Sequence, residues 1–335
     1  MQQPNRRLAQ RGADNFYNSA KSLYEVKFLP LPKDCSGRLR KTTPRAAVDL
    51  AERTRYNVDM EKVTVLANAK LNLYHDVAGT RADGYHDLDM LMVTVNCGDV
   101  ITVRKAESGF LSVKMDGAEA GEENTAYRTA RLVCDLTGSG LDITIAKKIP
   151  IGAGMGGSSA DSAGVLNAAK KLLGISDSAA NEIALQVGSD VVYMMHGGIM
   201  RARGRGEILT PVEGLESLRS KFFVVAQKCM GATTAKVFSH FDTLGMQPKN
   251  SFDKTVSSLK TGRYEDGLYN ALFLSATYHC PSIVATMFDL KNFSSAACMT
   301  GSGSACFAIF DDFAKAKECY ESLQHYKYKN IVHIV

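Results

Sequence analysis

The stretch PIGAGMGGSSADSAG, residues 150–164, constrains this chain more than any other part of it. Five glycines and three serines stand at the head of an alanine-rich run. Glycine lets the main chain approach a ligand closely, and a helix start offers unpaired N–H groups to an anion. Before the stretch, LDITIAKKI alternates as a strand does. After it, apolar residues recur at helical spacing from Ser159 to Leu173, with Gly174 placed as the C′ stop. Strand, bare loop and helix in that order read as a phosphate cradle.

Several loops of that kind compete. The Walker A pattern requires a lysine after its last glycine, and here Gly157 is followed by Ser158 and Ser159. Gly152, Gly154 and Gly157 satisfy GxGxxG. A dinucleotide site, however, returns to a parallel strand with an acidic residue about 20 positions on. Here that position falls near Asp177, where a second helix begins. What remains is a loop without lysine, in which amides and the helix start hold the phosphates and a lysine comes from elsewhere. A plain surface turn does not account for a long amphipathic helix behind such glycine density.

At 335 residues, 45% hydrophobic and 22% charged, the chain has the composition of a globular protein. No 18-residue apolar run marks a membrane span, and the first residues lack the apolar middle of a secretory signal. Eight scattered cysteines without a CxxC pair are expected to be reduced thiols in the cytoplasm, and close zinc-ligand spacing is absent. The net charge is +5, but residues 1–59 alone carry +6, leaving −1 on the body. The body therefore has no bias toward nucleic acid.

Residues 1–59 show no sustained period and are expected to be a poorly ordered extension, with one helix over Thr43–Tyr56 and Met60 as the natural start. Their six acidic residues argue against a transit peptide. Beyond them KVTVLANAKLNLYHDV alternates, putting Leu71, Leu73, His75 and Val77 on one face. Strands are predicted at GDVITVRK and FLSVKM, then a helix from Asn124 with Ala126, Ala130, Val133 and Leu136 inward. A further helix runs from the cap Ser176 to Gly188. The second half is predicted to hold helices near 233–242, 264–278, 281–290 and 312–325 and strands at ACFAIF and KNIVHIV. This is an α+β chain of two domains dividing near residue 212, over 60–212 and 213–335.

The loop PIGAGMGGSSADSA resembles the central motif of the GHMP kinases, the small-molecule kinases of galactose, homoserine and mevalonate type. ANAKLNL (67–73) looks like their first motif and MTGSGSACFAIF (299–310) like their third. Within the family, AKLNLYHDVAGTRADGYHDLDML is similar to the start of the branch that phosphorylates the 2-hydroxyl of a cytidine-diphosphate-linked methylerythritol, where DGYH is a signature. NTAYRTA, GSDVVYMMHGG and RARGRGEILTP follow that branch in order and spacing. The resemblance covers about 60–335. It implies a two-domain GHMP kinase-like fold, with an N-terminal half like ribosomal protein S5 domain 2 and a ferredoxin-like C-terminal half. It also implies ATP and Mg²⁺, with metal ligands left open.

The resemblance assigns roles residue by residue. Lys70 and Asp190 become the couple that polarises the attacking hydroxyl; otherwise they read as a surface lysine and a loop aspartate just past a helix end. Pro150, Gly152, Ala153, Gly154, Met155, Gly156, Gly157, Ser158 and Ser159 would wrap the phosphates. Asn124, otherwise a helix cap, would contact the adenine with Lys147 or Lys148 nearby. Tyr85 would stack on the cytosine and His86 read its edge, with Phe238 opposite and Asn72 at the diphosphate or acceptor. Two departures stand out: the family's GGGSS appears as GGSSA, and its NDLE segment as NALF (270–273). The first shifts hydroxyls and leaves amides intact; the second weakens any role for acidic residues there.

Three other functions are compatible with parts of this pattern. A GHMP kinase of mevalonate or homoserine type has no base to stack, which the DGYH block argues against. A nucleotide sensor without chemistry would not need both Lys70 and Asp190. Nucleic-acid binding rests only on the charge of residues 1–59. The expectation is a cytoplasmic kinase of a small cytidine-diphosphate-linked polyol, with no nucleic acid or membrane partner, as monomer or homodimer.

Overall fold

The computed structural model describes residues 56–59 and 61–335; the expected helix over 43–56, the order of residues 1–55 and Met60 lie outside them. Only Tyr56–Asp59 of the first segment is described, as strand β1.

Two sheets organise the rest. The larger runs β1-β2-β3-β6-β4-β5, from β2 (Lys62–Thr80), β3 (His86–Ala106), β4 (Leu111–Met115), β5 (Ala118–Glu119) and β6 (Gly140–Ala146). Strands β7 (Ile199–Gly204) and β8 (Ile208–Pro211) extend it from β3. Against it pack helices α1 (Thr125–Thr137), α2 (Gly157–Leu173), α3 (Asp177–Val187) and α4 (Ser189–His196). The alanine-rich run explains how closely α2 lies on the sheet: a Cβ at Gly164 would fall 2.2 Å from Ile101 Cδ1. Small residues permit that approach, and Ala160, Ala163, Ala168 and Ala169 are buried there.

The smaller sheet has the order β11-β12-β9-β13, all antiparallel, from β9 (Phe222–Gln227), β11 (Ala297–Met299), β12 (Cys306–Phe310) and β13 (Tyr328–Val332). Read in chain order its strands lie 4-1-3-2, with helices between the first and second and between the third and fourth, which is the ferredoxin-like arrangement. Its helices are α5 (Thr234–Thr243), α6 (Phe252–Lys260), α7 (Tyr264–Gly267), α8 (Phe273–His279), α9 (Ser282–Lys291) and α10 (Phe313–Ser322). Residue 212 falls in the connection between the sheets, but the division is not clean. Strand β10 (Tyr269–Asn270) pairs in parallel with Tyr74 and His75 of the larger sheet.

Three local expectations change. The helix over 264–278 is broken into α7 and α8 by β10. Leu136 is 55% exposed on the last turn of α1, and Thr129 is buried instead. The long alternation in β2 is interrupted by a register shift between Asn72 and Tyr74. A bulge of this kind turns the following side chains to the other face. Leu71, Leu73 and Tyr74 therefore join the main core, whereas Val77 belongs to the core of the smaller sheet. His75 turns into a cavity.

Candidate active site

One cavity of about 1020 Å³ is lined by residues from all the singled-out motifs. At one end lies the bare loop. Gly152, Gly154 and Gly156 have φ of 62, 72 and 75°, the left-handed region that side chains avoid. A Cβ on Gly154 would sit 2.2 Å from the Thr300 carbonyl oxygen, so only glycine fits. The loop is stapled to residues 300–305: the Ser304 N–H donates to Gly152 O at 3.0 Å and the Ala305 N–H to Ala153 O at 3.1 Å. Gln227 Nε2 donates to Ile151 O and Gly152 O, each at 3.1 Å. Asn270, the asparagine of NALF, holds the far loop through Met299 O at 2.8 Å and Gly301 O at 2.9 Å. The loop ends at the start of α2, where no side chain caps the free N–H groups. The cavity wall includes Pro150, Gly152, Ala153, Gly154, Met155, Gly156, Gly157, Ser158 and Ser159.

Lys70 and Asp190 both line this cavity. Lys70 is buried in β2, its N–H bonded to Met155 O at 3.1 Å and its ammonium donating to Asn72 Oδ1. Burial lowers the affinity of the ammonium for its proton, and the nearby charge of Asp190 offsets part of that. Asp190 lies in the first turn of α4, where the helix N-terminus favours a negative charge. Asn72 is fully buried and is not on the cavity wall; its N–H bonds Thr300 Oγ1 at 3.0 Å. It therefore stands behind Lys70 and fixes where that ammonium points.

Asn124 and Lys147 reach the wall while occupied by local duties. Asn124 caps α1, its Oδ1 accepting from the N–H groups of Ala126 and Tyr127 at 2.8 and 3.3 Å. The Lys147 ammonium donates to Asp99 at 2.5 Å and Asp161 at 2.6 Å. Burial works against its charge, but the two carboxylates outweigh burial and strengthen its hold on the proton. Asp99 also accepts from the N–H groups of Lys148 and Ile149. Burial raises the Asp161 carboxyl well above its ordinary range, and its Oδ1 has no partner. Lys148 is exposed and lies off the wall.

The DGYH turn connects β2 and β3 at the other end of the cavity. Tyr85 is exposed, with the Arg205 guanidinium 4.1 Å from its ring centre. His86 Nε2 lies 2.6 Å from Asp242 Oδ1, and a carboxylate only accepts, so that nitrogen carries the proton. Phe238 stacks on His86 at 4.7 Å and lines the same cavity as Tyr85.

The sequence reading missed Asp161, Arg205, Asp242 and His75 on this wall. Arg205 and Asp242 lie far along the chain from the side chains they touch, so no local pattern marks them. Asp161 stands inside the quoted loop and reads locally as an ordinary polar helix residue. Strict alternation along β2 puts His75 on the opposite face.

Comparison with known proteins agrees with this architecture. Family models match over 124–200 (GHMP kinases N terminal domain) and 259–330 (GHMP kinases C terminal). The 4-diphosphocytidyl-2-C-methyl-D-erythritol kinase of Alkaliphilus metalliredigens is 31% identical over 274 residues, 79% of this chain and 93% of that protein. The enzyme of the same name from Pelotomaculum thermopropionicum is 35% identical over 267 residues, 76% and 92% of the two chains. A crystal structure of 4-(cytidine 5'-diphospho)-2C-methyl-D-erythritol kinase superposes with a TM-score of 0.68 at 28% identity, covering 81% of this chain and 99% of that one. The chain belongs to the GHMP kinases, alongside their 4-diphosphocytidyl-2-C-methyl-D-erythritol kinases.

Proposed function

We propose that the protein transfers the γ-phosphoryl group of ATP to the 2-hydroxyl of 4-diphosphocytidyl-2-C-methyl-D-erythritol, in the methylerythritol phosphate route to isoprenoid precursors. The observation that carries the reading is one cavity with three stations. A glycine cradle lies at one end, the DGYH turn at the other, and Lys70 and Asp190 share the same wall. The relatives' names supply the acceptor.

ATP supplies the phosphoryl group, and the residues fit it: a side chain on Gly154 would force apart the two glycine loops that line the cavity, and no side chain caps the start of α2. Mg²⁺ ordinarily binds through phosphates plus one or two carboxylates. The wall offers Ser158, Ser159 and the unpartnered Oδ1 of Asp161 for that purpose. Among the described residues no group of three or more His, Cys, Asp or Glu stands ready to hold a metal. Asp190 accepts the proton of the attacking hydroxyl, and the Lys70 ammonium steadies the negative charge gathering beside it. Phosphoryl transfer has a loose transition state, so alignment and charge neutralisation outweigh proton removal. Cysteines read as thiols support a cytoplasmic setting. Among the described residues no helix is long and apolar enough to cross a membrane.

The test is ADP release with ATP and a panel of alcohols. The cytidylyl acceptor is expected to turn over, and mevalonate and homoserine are not. Release with mevalonate alone would end the proposal. Asp190→Asn is expected to lower turnover roughly 10²- to 10⁴-fold while ATP still binds. A near wild-type rate would remove Asp190 from its role.

A further inference from the structure

His75 is 5% exposed, lines the cavity, and has no hydrogen-bond partner on either ring nitrogen. Among the described residues it is the only side chain with two such atoms. Other polar groups on the wall are engaged through at least one atom, Lys70 with Asn72, His86 with Asp242 and Lys147 with Asp99 and Asp161, whereas only single atoms, Asp161 Oδ1 and Arg205 Nε, are left over there. A buried polar ring without a partner is costly, and native structures keep few of them. The chain also builds this position actively, because the register shift between Asn72 and Tyr74 is what turns His75 inward. Burial, helped by the positive charge of Lys70, pushes the imidazole down to about 3, so it is neutral at ordinary pH. A neutral imidazole presents one N–H donor and one bare acceptor. A hydroxyl, itself donor and acceptor, is the complement of either nitrogen.

Its place along β2 says which part of the ligand it meets. Lys70 pairs with Thr94, His75 with Met90 and Thr80 with His86. At roughly 3.3 Å per residue, His75 stands about midway between the reacting couple and the base-reading turn. Leu88 and Met90 supply the apolar wall there.

We propose that His75 is a specificity-determining residue that hydrogen-bonds a non-reacting hydroxyl of the acceptor, on the ribose or on the polyol. The proposal rests on the acceptor named above. His75→Leu keeps the bulk and removes the polar atoms. It is expected to raise KM for the acceptor about 10-fold, with kcat and the KM for ATP unchanged within about twofold. The deciding measurement repeats the comparison with two acceptors, one lacking a ribose hydroxyl and one lacking a non-reacting polyol hydroxyl. The Leu penalty disappears on the analogue missing the contacted group, which also tells the two sources apart. No penalty on the full acceptor, or an equal penalty on both analogues, overturns the proposal. His75→Met, whose flexible chain adapts to the slot, runs the same cycle should the Leu variant not fold. If wild-type protein fails to turn over the cytidylyl acceptor, the function itself falls. A working wild type with an indifferent His75→Leu sinks only the residue.

Discussion

Gly154→Ala isolates the contact between the two glycine loops. The new Cβ would lie 2.2 Å from Thr300 O and 2.9 Å from Gly303 N, both backbone atoms. Ordinary contact begins near 3.4 Å, so one loop has to retreat by about 1.2 Å. At φ of 72° a side chain also costs roughly 1–2 kcal/mol. The retreat breaks the Ser304–Gly152 and Ala305–Ala153 hydrogen bonds, at roughly 1 kcal/mol each. The total is about 3–4 kcal/mol, which for a chain of this size lowers Tm by roughly 10 °C. A displacement of about 1 Å at a reacting group costs on the order of 10²-fold in rate, so kcat/KM for ATP should fall by that factor. Gly152→Ala is the control. Its Cβ meets Met230 Cγ at 2.5 Å, on an exposed side chain that can swing away, which leaves the backbone strain at φ of 62° and a mild 3.3 Å contact with Gly231 N. Thermal melting and steady-state kinetics on both variants decide the matter. If Gly154→Ala matches Gly152→Ala in Tm and in kcat/KM, the stapled-loop account is wrong.

Two further variants separate local duties from ligand contacts. Asn124→Ala should cost about 1 kcal/mol of stability through loss of the α1 cap and should raise the KM for ATP. Asn124→Ser keeps a cap, so it should restore Tm but not KM; recovery of both would leave Asn124 as a cap alone. For Asp161 the folded carboxyl is raised above its ordinary range by burial, so the folded state binds the extra proton. That stability is full below the ordinary carboxylate range and is lost as pH rises toward neutrality. Denaturant midpoints at about pH 5 and about pH 8 should therefore fall more for wild type than for Asp161→Asn. Parallel changes would show that Asp161 holds no extra proton.

Much of this site was readable because its parts are local. Gly152 to Ser159 announce a bare loop before a helix. Asn124, Ser176 and Gly174 mark helix ends by the chemistry that closes them, and all three are found in those places. Sequence reasoning failed where distant segments override local preference. The run 264–278 has helical spacing, yet Tyr269 and Asn270 are drawn onto β2, and Asn270 gives its amide to Met299 and Gly301. The helix breaks because those carbonyls are satisfied from there. Asp242 and Arg205 acquire their partners, His86 and Tyr85, only through tertiary approach.

His75 makes the sharper case, because there the sequence pattern pointed to the wrong face. Strict alternation from Leu71 places it with Leu73 in the core. A period of two has no way to register one inserted residue, since the insertion leaves no mark in polarity on either side. After the shift at Asn72, the Leu71 face continues through Tyr74, while His75 and Val77 cross over. Had the alternation held, the wall between Lys70 and the DGYH turn would carry Tyr74 in place of an imidazole. The irregularity that defeats the pattern is thus what puts a bare polar ring into the cavity. Deleting Leu73 keeps Tyr74 opposite Leu91 and His75 opposite Met90, so the imidazole should stay on the Lys70 face and the KM for the acceptor should hold; one residue inserted between Leu91 and Met92 would instead give Leu73 a partner, turn His75 toward the core and raise that KM.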